Sequence, residues 1–409
     1  MSGNTEQLTK RLREALDPGA AEIIRLLEAA GHEAWAVGGC VRDMLLGREP
    51  KDWDVTTSAS PEEIKAVFFR TFDTGIKHGT VSVRMFGSTY EVTTYRVDGS
   101  YADHRRPDEV RFTASLAEDL SRRDFTVNAM AFHPERGLTD LFDGQGDLRR
   151  RVVRCVGVPS ERFDEDALRM LRALRFGAYL GFSVARETFA AIRKQRELLA
   201  YVSKERISEE LNKILVSGHP EQIRRVQRAG LMPWCVPAFD GRNFPYDSLN
   251  RVPAERVLRW ALFLQRLTPE ETDAALRDLR FDNETRRRAV RLAEYRETPF
   301  PREAAAARHF LHGLGPDYFE ELVSYRRALG TLDEEAAALV RGELSAPLSL
   351  RDLALGGKDL LALGAPNGQR LGTMLEELLR AVLDDPAKNE CGALEALACA
   401  LIAAEPCEE

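Results

Sequence analysis

Cysteine is scarce and scattered in this chain. The six residues Cys40, Cys155, Cys235, Cys391, Cys399 and Cys407 form no C-x-x-C pair, which leaves neither a cysteine zinc site nor a disulfide framework and points to reduced thiols. Long apolar runs are missing as well. Nothing approaches the roughly 20 residues that cross a bilayer, and the opening stretch MSGNTEQLTKRLREAL holds no apolar signal region, so a cytoplasmic protein with no membrane role is expected. No self-similar period of about 20 to 50 residues is present, which excludes a solenoid or propeller. A positive excess is also lacking. The formal charge of −7 argues against nucleic-acid binding by bulk electrostatics. Local cations remain, at Arg105-Arg106, Arg122-Arg123, Arg149-Arg150-Arg151 and the spaced trio Arg169, Arg172 and Arg175, all in the first half. They suit a basic groove, or simply solvated faces.

What is present is length and pattern. With 409 residues, 44% of them hydrophobic, the chain can bury at least two cores, because single cores stop growing near about 250 to 300 residues. The first part mixes periodicities. An amphipathic stretch over 5–31 is followed by the apolar run Ala34 to Val37 and then by Gly38-Gly39, which opens a helical pattern over 40–47. Ser60-Pro61-Glu62-Glu63 is a capped helix start, and the helix is expected to reach about Phe69. Gly79–Phe86 and Thr89–Val97 alternate as strands around Gly87-Ser88, in the manner of a hairpin. From about residue 160 onward Leu, Ala, Glu and Arg recur at helical spacing, including the alanine run Glu303 to Arg308. The expected fold class is an α+β head, a mixed sheet with helices, followed by an all-α extension.

Three constellations carry chemistry. The first is Gly38-Gly39-x-x-Arg42-Asp43 followed by Asp52-x-Asp54. In an extended segment alternate side chains share a face, so Asp52 and Asp54 present two carboxylates to one point. Such hard oxygens suit Mg²⁺, which keeps positions open for substrate phosphates and can activate a 3′-hydroxyl while stabilising leaving pyrophosphate. A D-x-D alone equally describes a solvated turn; the glycine turn, with backbone N–H groups at a helix start and Arg42 beside them, adds a phosphate site. Glu91 is a candidate third acid, since glutamate is disfavoured among the β-formers of Tyr90 to Tyr95; the alternative is an outward-facing strand residue.

The second constellation, Arg122 to Met130, combines cations with the hydrogen-bonding side chains of Thr126 and Asn128, a set suited to a triphosphate and ribose, or to a capped helix with a basic flank. The third is Glu165-Asp166-Ala167-Leu168-Arg169 through Phe176. Read as a helix, it places Asp166, Arg169 and Arg172 on one face and Ala167, Leu168, Leu171 and Leu174 on another. An intrahelical Asp166–Arg169 pair would be worth only tenths of a kcal/mol. A carboxylate accepts from the exocyclic amine of C or A while a guanidinium donates to the neighbouring ring acceptors, so the two together select C and A without a template.

In order along the chain, AVGGCVRDMLLGREPKDWDVTTSA, DGSYADHRRPDEVRF, SRRDFTVNAMA, DLFDGQGDL and RFDEDALRMLRALRF resemble the class II tRNA nucleotidyltransferase and bacterial poly(A) polymerase family, strongly over about residues 20–185. The resemblance implies a polymerase-beta-like head over 1–158, a helical neck for base selection over 159–215, a helical body over 216–320 and a tRNA-binding tail over 321–409. It makes Asp52 and Asp54 the Mg²⁺ ligands. It places Gly38, Gly39, Arg42, Arg123 and Asn128 at the nucleotide, Asp166 and Arg169 as the base-selecting pair, and Arg172 and Arg175 beside them. The implied reaction adds C, C and A to the 3′ end of tRNA from CTP and ATP. Body and tail would hold the acceptor and T arms through phosphate contacts, which carry no sequence information. The segment Asp98 to Val110 resembles the flexible loop of CCA-adding members, and its intact length argues against a CC-only enzyme. Asp164 matches no assigned role, and no H…HD phosphohydrolase motif is present. The alternatives are a poly(A) polymerase or A-adding partial enzyme, and, from another class, a non-catalytic RNA-binding protein, against which both metal carboxylates argue.

Overall fold

The computed structural model describes residues 2–98 and 110–403, so most of the loop read from Asp98 to Val110 lies outside the described residues. The chain divides into two units, Met1–Tyr246 and Asp247–Glu409.

The first unit opens with two helices where the amphipathic stretch over 5–31 suggested one. These are α1 (Ser2–Ala15) and α2 (Pro18–Ala29). Asp17 causes the break: its Oδ1 accepts from the Gly19 and Ala20 amides at 2.8 and 3.0 Å, and Pro18 at the first helical position cannot continue a preceding turn. Next come β1 (Ala34–Val37), α3 (Gly39–Leu45), β2 (Asp54–Thr57), α4 (Pro61–Val67), β3 (Thr71–Gly75), β4 (Thr80–Met85) and β5 (Ser88–Thr94). The pair β6 (Arg96–Asp98) and β7 (Val110–Phe112) precedes α5 (Leu116–Ser121), β8 (Met130–His133) and β9 (Gly137–Asp140).

Seven strands form one mixed sheet in the order β3-β4-β5-β2-β1-β8-β9. β1 lies inside the sheet between β2 and β8 and all four of its residues are buried, which is why its sequence is an unbroken apolar run. β2 pairs antiparallel with β1 but parallel with β5, so Asp54 stands in register with Glu91. The hairpin turns one residue earlier than expected: Ser88 pairs with Met85, and Phe86 and Gly87 take φ of 48° and 86°, the two positive angles that a two-residue turn of this hand requires. α4 carries the expected Ser60 cap, which the structure extends to a capping box with Glu63, and stops at Val67, two residues short of the expected end. Trp35, Val37, Tyr95, Leu120 and Ala131 form a buried cluster on the sheet.

After α6 (Gly144–Arg150), the two-residue strands β10 (Val152–Val153) and β11 (Ser183–Val184) pair in parallel and bracket α7 (Pro159–Glu165) and α8 (Leu168–Leu180). The motif from Glu165 to Phe176 is therefore not one helix. Asp166 lies in the break, extended at φ −140° and ψ 104°, and its carboxylate accepts from the Leu168 amide at the start of α8 at 3.0 Å, a local bond that competes with continuing the helix. α9 (Arg186–Gln195) and α10 (Lys204–Leu215) follow.

The second unit is all-α among its described residues, from Arg256–Phe263 to Cys391–Ala403. One of its cores gathers Leu355, Leu360, Met374, Leu378, Val382 and Leu394. Among the described residues no helix is long and apolar enough to cross a membrane, and the described cysteines are free.

Candidate active site

The turn from β1 into α3 positions the first group of site residues. Gly38 has φ 80° and ψ −126°, a conformation open in practice to glycine alone. A Cβ there would stand 3.1 Å from Arg123 Nη1 and 3.9 Å from Asp54 Oδ2. The bare backbone thus lets a cation and a carboxylate approach the same turn. The Gly38 amide itself donates to the Met130 carbonyl at 3.1 Å. Arg42 is buried; its guanidinium donates to both oxygens of Asp43, at 2.9 and 3.0 Å, and to Asn128 Oδ1 at 2.6 Å, and sits 5.4 Å from the Phe176 ring centre. It organises the wall between α3 and α8.

Asp54 heads β2, and Asp52 lies exposed two residues earlier in the bend that leads into it. Burial pushes the Asp54 carboxyl up to about 6, the charges of Glu91 and Asp52 push the same way, and only Arg123 opposes them. Negative charge is therefore in surplus here, the condition a divalent cation relieves. Among the described residues no group of three His, Cys, Asp or Glu side chains is placed to hold a metal by itself. Two carboxylates with substrate phosphates completing the shell is the arrangement Mg²⁺ accepts. The donor set fits that ion.

The segment after α5 supplies the cations. Asp119 is fully buried and takes Arg122 on one oxygen at 2.7 Å and Arg123 on the other at 3.1 Å. Burial opposes its ionisation, yet the two arginines hold its carboxyl below the usual range. Arg123 keeps one buried guanidinium nitrogen, Nε, without a partner. Asn128 donates to Asp124 Oδ1 at 3.2 Å, and Arg172 grips the other oxygen of Asp124.

α8 and the break before it supply the rest. Arg169 pairs with Glu165 and donates to the Arg122 carbonyl at 3.2 Å. Asp166 pairs not with Arg169 but with Arg206 of α10, at 2.8 Å. Arg175 lies over the Phe176 ring at 3.8 Å and donates to the buried Glu210 at 2.6 Å.

Most of these groups meet at one cavity of about 960 Å³. Its lining includes Gly38, Gly39, Arg42, Asp52, Asp54, Arg123 and Asn128 from the sheet side, and Asp166, Arg169, Arg172 and Arg175 from the helical side. Of the residues singled out from sequence, Glu91 and Thr126 do not line it; the Thr126 hydroxyl is turned to Asp147 at 2.7 Å. Glu91 is exposed on β5, in register with Asp54, whose carboxyl its charge raises. Arg206 and Lys213, which also line the cavity, escaped the sequence reading. Their only signal was spacing: 206, 210 and 213 are charged positions four and three apart along α10, the period of one helix face.

A family model described as the poly A polymerase head domain matches residues 34–154. A second, "Probable RNA and SrmB- binding site of polymerase A", matches 181–241, and one for tRNA nucleotidyltransferase domain 2 matches 253–398. The CCA-adding enzyme of Lactobacillus gasseri is 38% identical over 92% of this chain and 95% of its own length. That of Bacillus velezensis is 39% identical over 89% and 92%. The crystal structure of the Bacillus stearothermophilus CCA-adding enzyme in complex with CTP superposes with a TM-score of 0.81 at 33% identity, covering 95% of this chain and 98% of that one.

Proposed function

The chain belongs to the CCA-adding enzyme family of nucleotidyltransferases, and from that premise we propose that it completes the 3′ end of tRNA, adding C, C and A from CTP and ATP without a nucleic-acid template. The observation that carries this reading is the shared cavity, in which the carboxylates Asp52 and Asp54 face the same space as Asp166 and Arg169. One end suits phosphoryl chemistry and the other suits a base.

The tRNA 3′-hydroxyl attacks the nucleotide α-phosphate and pyrophosphate leaves, twice with CTP and once with ATP. Asp52 and Asp54 would hold Mg²⁺. When bound, the ion supplies charge for the triphosphate and lowers the cost of ionising the attacking hydroxyl. Arg123, with its unpartnered Nε, donates to the triphosphate. The Arg42–Asn128–Asp124–Arg172 chain of hydrogen bonds holds the cavity wall rigid, so catalysis rests on positioning. Asp166 accepts from the amine of C or A and Arg169 donates to the adjacent acceptor, whereas U and G would set a carbonyl against the carboxylate.

The division into head 1–158, neck 159–215, body 216–320 and tail 321–409 follows this assignment, with the helical parts holding the tRNA acceptor and T arms, and the cytoplasm is the compartment in which the reaction would run. Incubating a tRNA that lacks its terminal trinucleotide with CTP and ATP, then sequencing the product ends, tests the function. CCA ends are expected. Ends carrying only A, or runs of A, would replace it with the A-adding or poly(A) alternative.

A further inference from the structure

Over β3, β4 and β5 the sheet has two unlike faces. Val81, Val83, Tyr90 and Val92 point to one of them and are all buried. The alternate positions make the other, and register sets a row across it: Phe72 pairs with Ser82, Ser82 with Glu91, and Glu91 with Asp54. A second row lies two residues along the strands, where Arg84 pairs with Thr89 and its amide donates to the Arg70 carbonyl at 3.0 Å. Cross-strand partners share a face, so Phe72, Arg70, Arg84, Thr89 and Glu91 stand on the same side as Asp54. All five are exposed, Phe72 by 52%. Asp73, the acid of β3, is taken by Lys65 at 2.7 Å, and among the described residues neither Arg70 nor Arg84 is paired with a carboxylate.

This face begins at the chemistry. β2 lies between β1 and β5 in the sheet. On its β1 side stand Gly38, Gly39 and Arg42, the turn suited to phosphates; on its β5 side stands Glu91, outside the nucleotide cavity. In-line displacement puts the attacking and leaving oxygens on opposite sides of the α-phosphate. With pyrophosphate leaving over the β1 turn, the attacking hydroxyl arrives over β5.

We propose that the open face of β3, β4 and β5 is the platform for the 3′-terminal strand of the RNA: Phe72 stacks on a base, Arg84 and Arg70 contact phosphates, and the strand runs past Glu91 to reach Asp54. This rests on the reading of the chain as an enzyme that extends an RNA 3′ end. Phe72 stands three strand spacings from Asp54, about 14 Å, so it meets a nucleotide behind the reacting one. Charge and shape choose the occupant. An exposed aromatic beside unpaired cations on an open sheet suits a single strand, whose bases stack on the ring and whose phosphates take the arginines. Neither contact depends on sequence, because every base has a π-face and every nucleotide a phosphate. A platform of this kind accepts an end whose last bases change with each addition, while selection of the incoming base stays with Asp166 and Arg169.

The test has two arms, both on the full-length protein. In the first, a tRNA ending in CC, with 4-thiouridine in place of the first of those two nucleotides, is irradiated in complex with the wild type and the adduct is mapped by peptide analysis. The adduct is expected within residues 70–86, and an adduct confined to the helical segments overturns the proposal. The second arm measures extension of tRNA by Phe72→Ala, Phe72→Trp, Arg84→Glu and the double variant Arg70→Ala/Arg84→Ala, with thermal melting of each. Phe72→Ala and the double variant should lower kcat/KM for tRNA about 10-fold with the KM for CTP unchanged. Phe72→Trp should restore it, and the double variant should depend less steeply on salt. Wild-type kcat/KM for tRNA in Phe72→Ala and the double variant overturns the proposal; if Phe72→Ala melts out, Arg84→Glu decides by the same ratio. A dimer that Phe72→Ala disperses in sedimentation, with tRNA kinetics unchanged, gives the face to a second copy of the chain and overturns it too. A wild type that extends no RNA end removes the functional reading and the platform with it, whereas extension by the wild type beside unaffected variants removes the platform alone.

Discussion

Arg172 grips the Asp124 carboxylate with two guanidinium nitrogens, at 2.9 and 2.6 Å, from 48 residues further along the chain. The other Asp124 oxygen accepts from Asn128, whose own carbonyl oxygen accepts from Arg42. Residues from α3, the 124–128 turn and α8 are thereby locked into one charged wall.

That wall sets a pH dependence. Burial works against the Asp124 charge, but Arg172 and Arg169 outweigh it and hold the carboxyl down to about 2. A carboxyl lowered on folding stabilises the native state fully above its unfolded pKa, near 4, and loses that contribution as pH falls through the folded value. Urea unfolding of the wild type and Asp124→Asn from pH 6 down to pH 2 is expected to show a stability gap that narrows by about 2 kcal/mol over the acid half of the range. A gap independent of pH would mean that the Asp124 charge is not what Arg172 stabilises.

The carboxylates at the other end of the cavity are argued to act in chemistry and not in folding. Asp52 is exposed, so Asp52→Ala should melt as the wild type does and bind tRNA equally well. Loss of metal-borne charge stabilisation, worth several kcal/mol, predicts a fall in kcat of at least about 10³-fold. Chelation should arrest the wild type and added Mg²⁺ restore it, with no recovery in Asp52→Ala. Near-normal extension by the variant would refute the ligand role.

The sheet, the capped α4 and the helical second half were legible because each follows from local pattern: an apolar run, Ser60-Pro61 at a helix start, Leu and Ala at helical spacing. The misreadings fall where a side chain competes with the backbone. Asp17 and Asp166 each satisfy amides that a continuous helix would use, and periodicity cannot register that. The Asp166–Arg206 pair was hidden for another reason. It joins α10 to a residue 40 positions earlier, and a long-range pairing leaves no trace in local spacing, whereas Asp52 and Asp54 announce themselves by standing two apart.

Glu91 gives a sharper case. It stands in register with Asp54 and raises the Asp54 carboxyl through its charge, yet it does not line the cavity. A role through Asp54, not through substrate, predicts that Glu91→Gln, by removing a neighbouring negative charge, eases ionisation of Asp54 and moves the acid limb of the kcat–pH profile to lower pH, with the KM for CTP unchanged. Steady-state kinetics across pH at saturating Mg²⁺ checks this; a wild-type profile would leave Glu91 as an outward-facing strand residue.

Gly38 tests whether the turn is needed for its shape. At φ 80° and ψ −126° an alanine is strained by about 1–3 kcal/mol, and its Cβ would press on Arg123 Nη1 at 3.1 Å. Backbone strain lowers stability wherever it occurs, but displacement of Arg123 falls on the triphosphate. Gly38→Ala should therefore lose about that much stability in urea and also raise the KM for CTP and ATP alike, while the ratio of correct to incorrect nucleotide stays near the wild type's, since Asp166 and Arg169 lie on the opposite wall. A changed ratio with unchanged KM would show that the β1–α3 turn reads the base and not the phosphates.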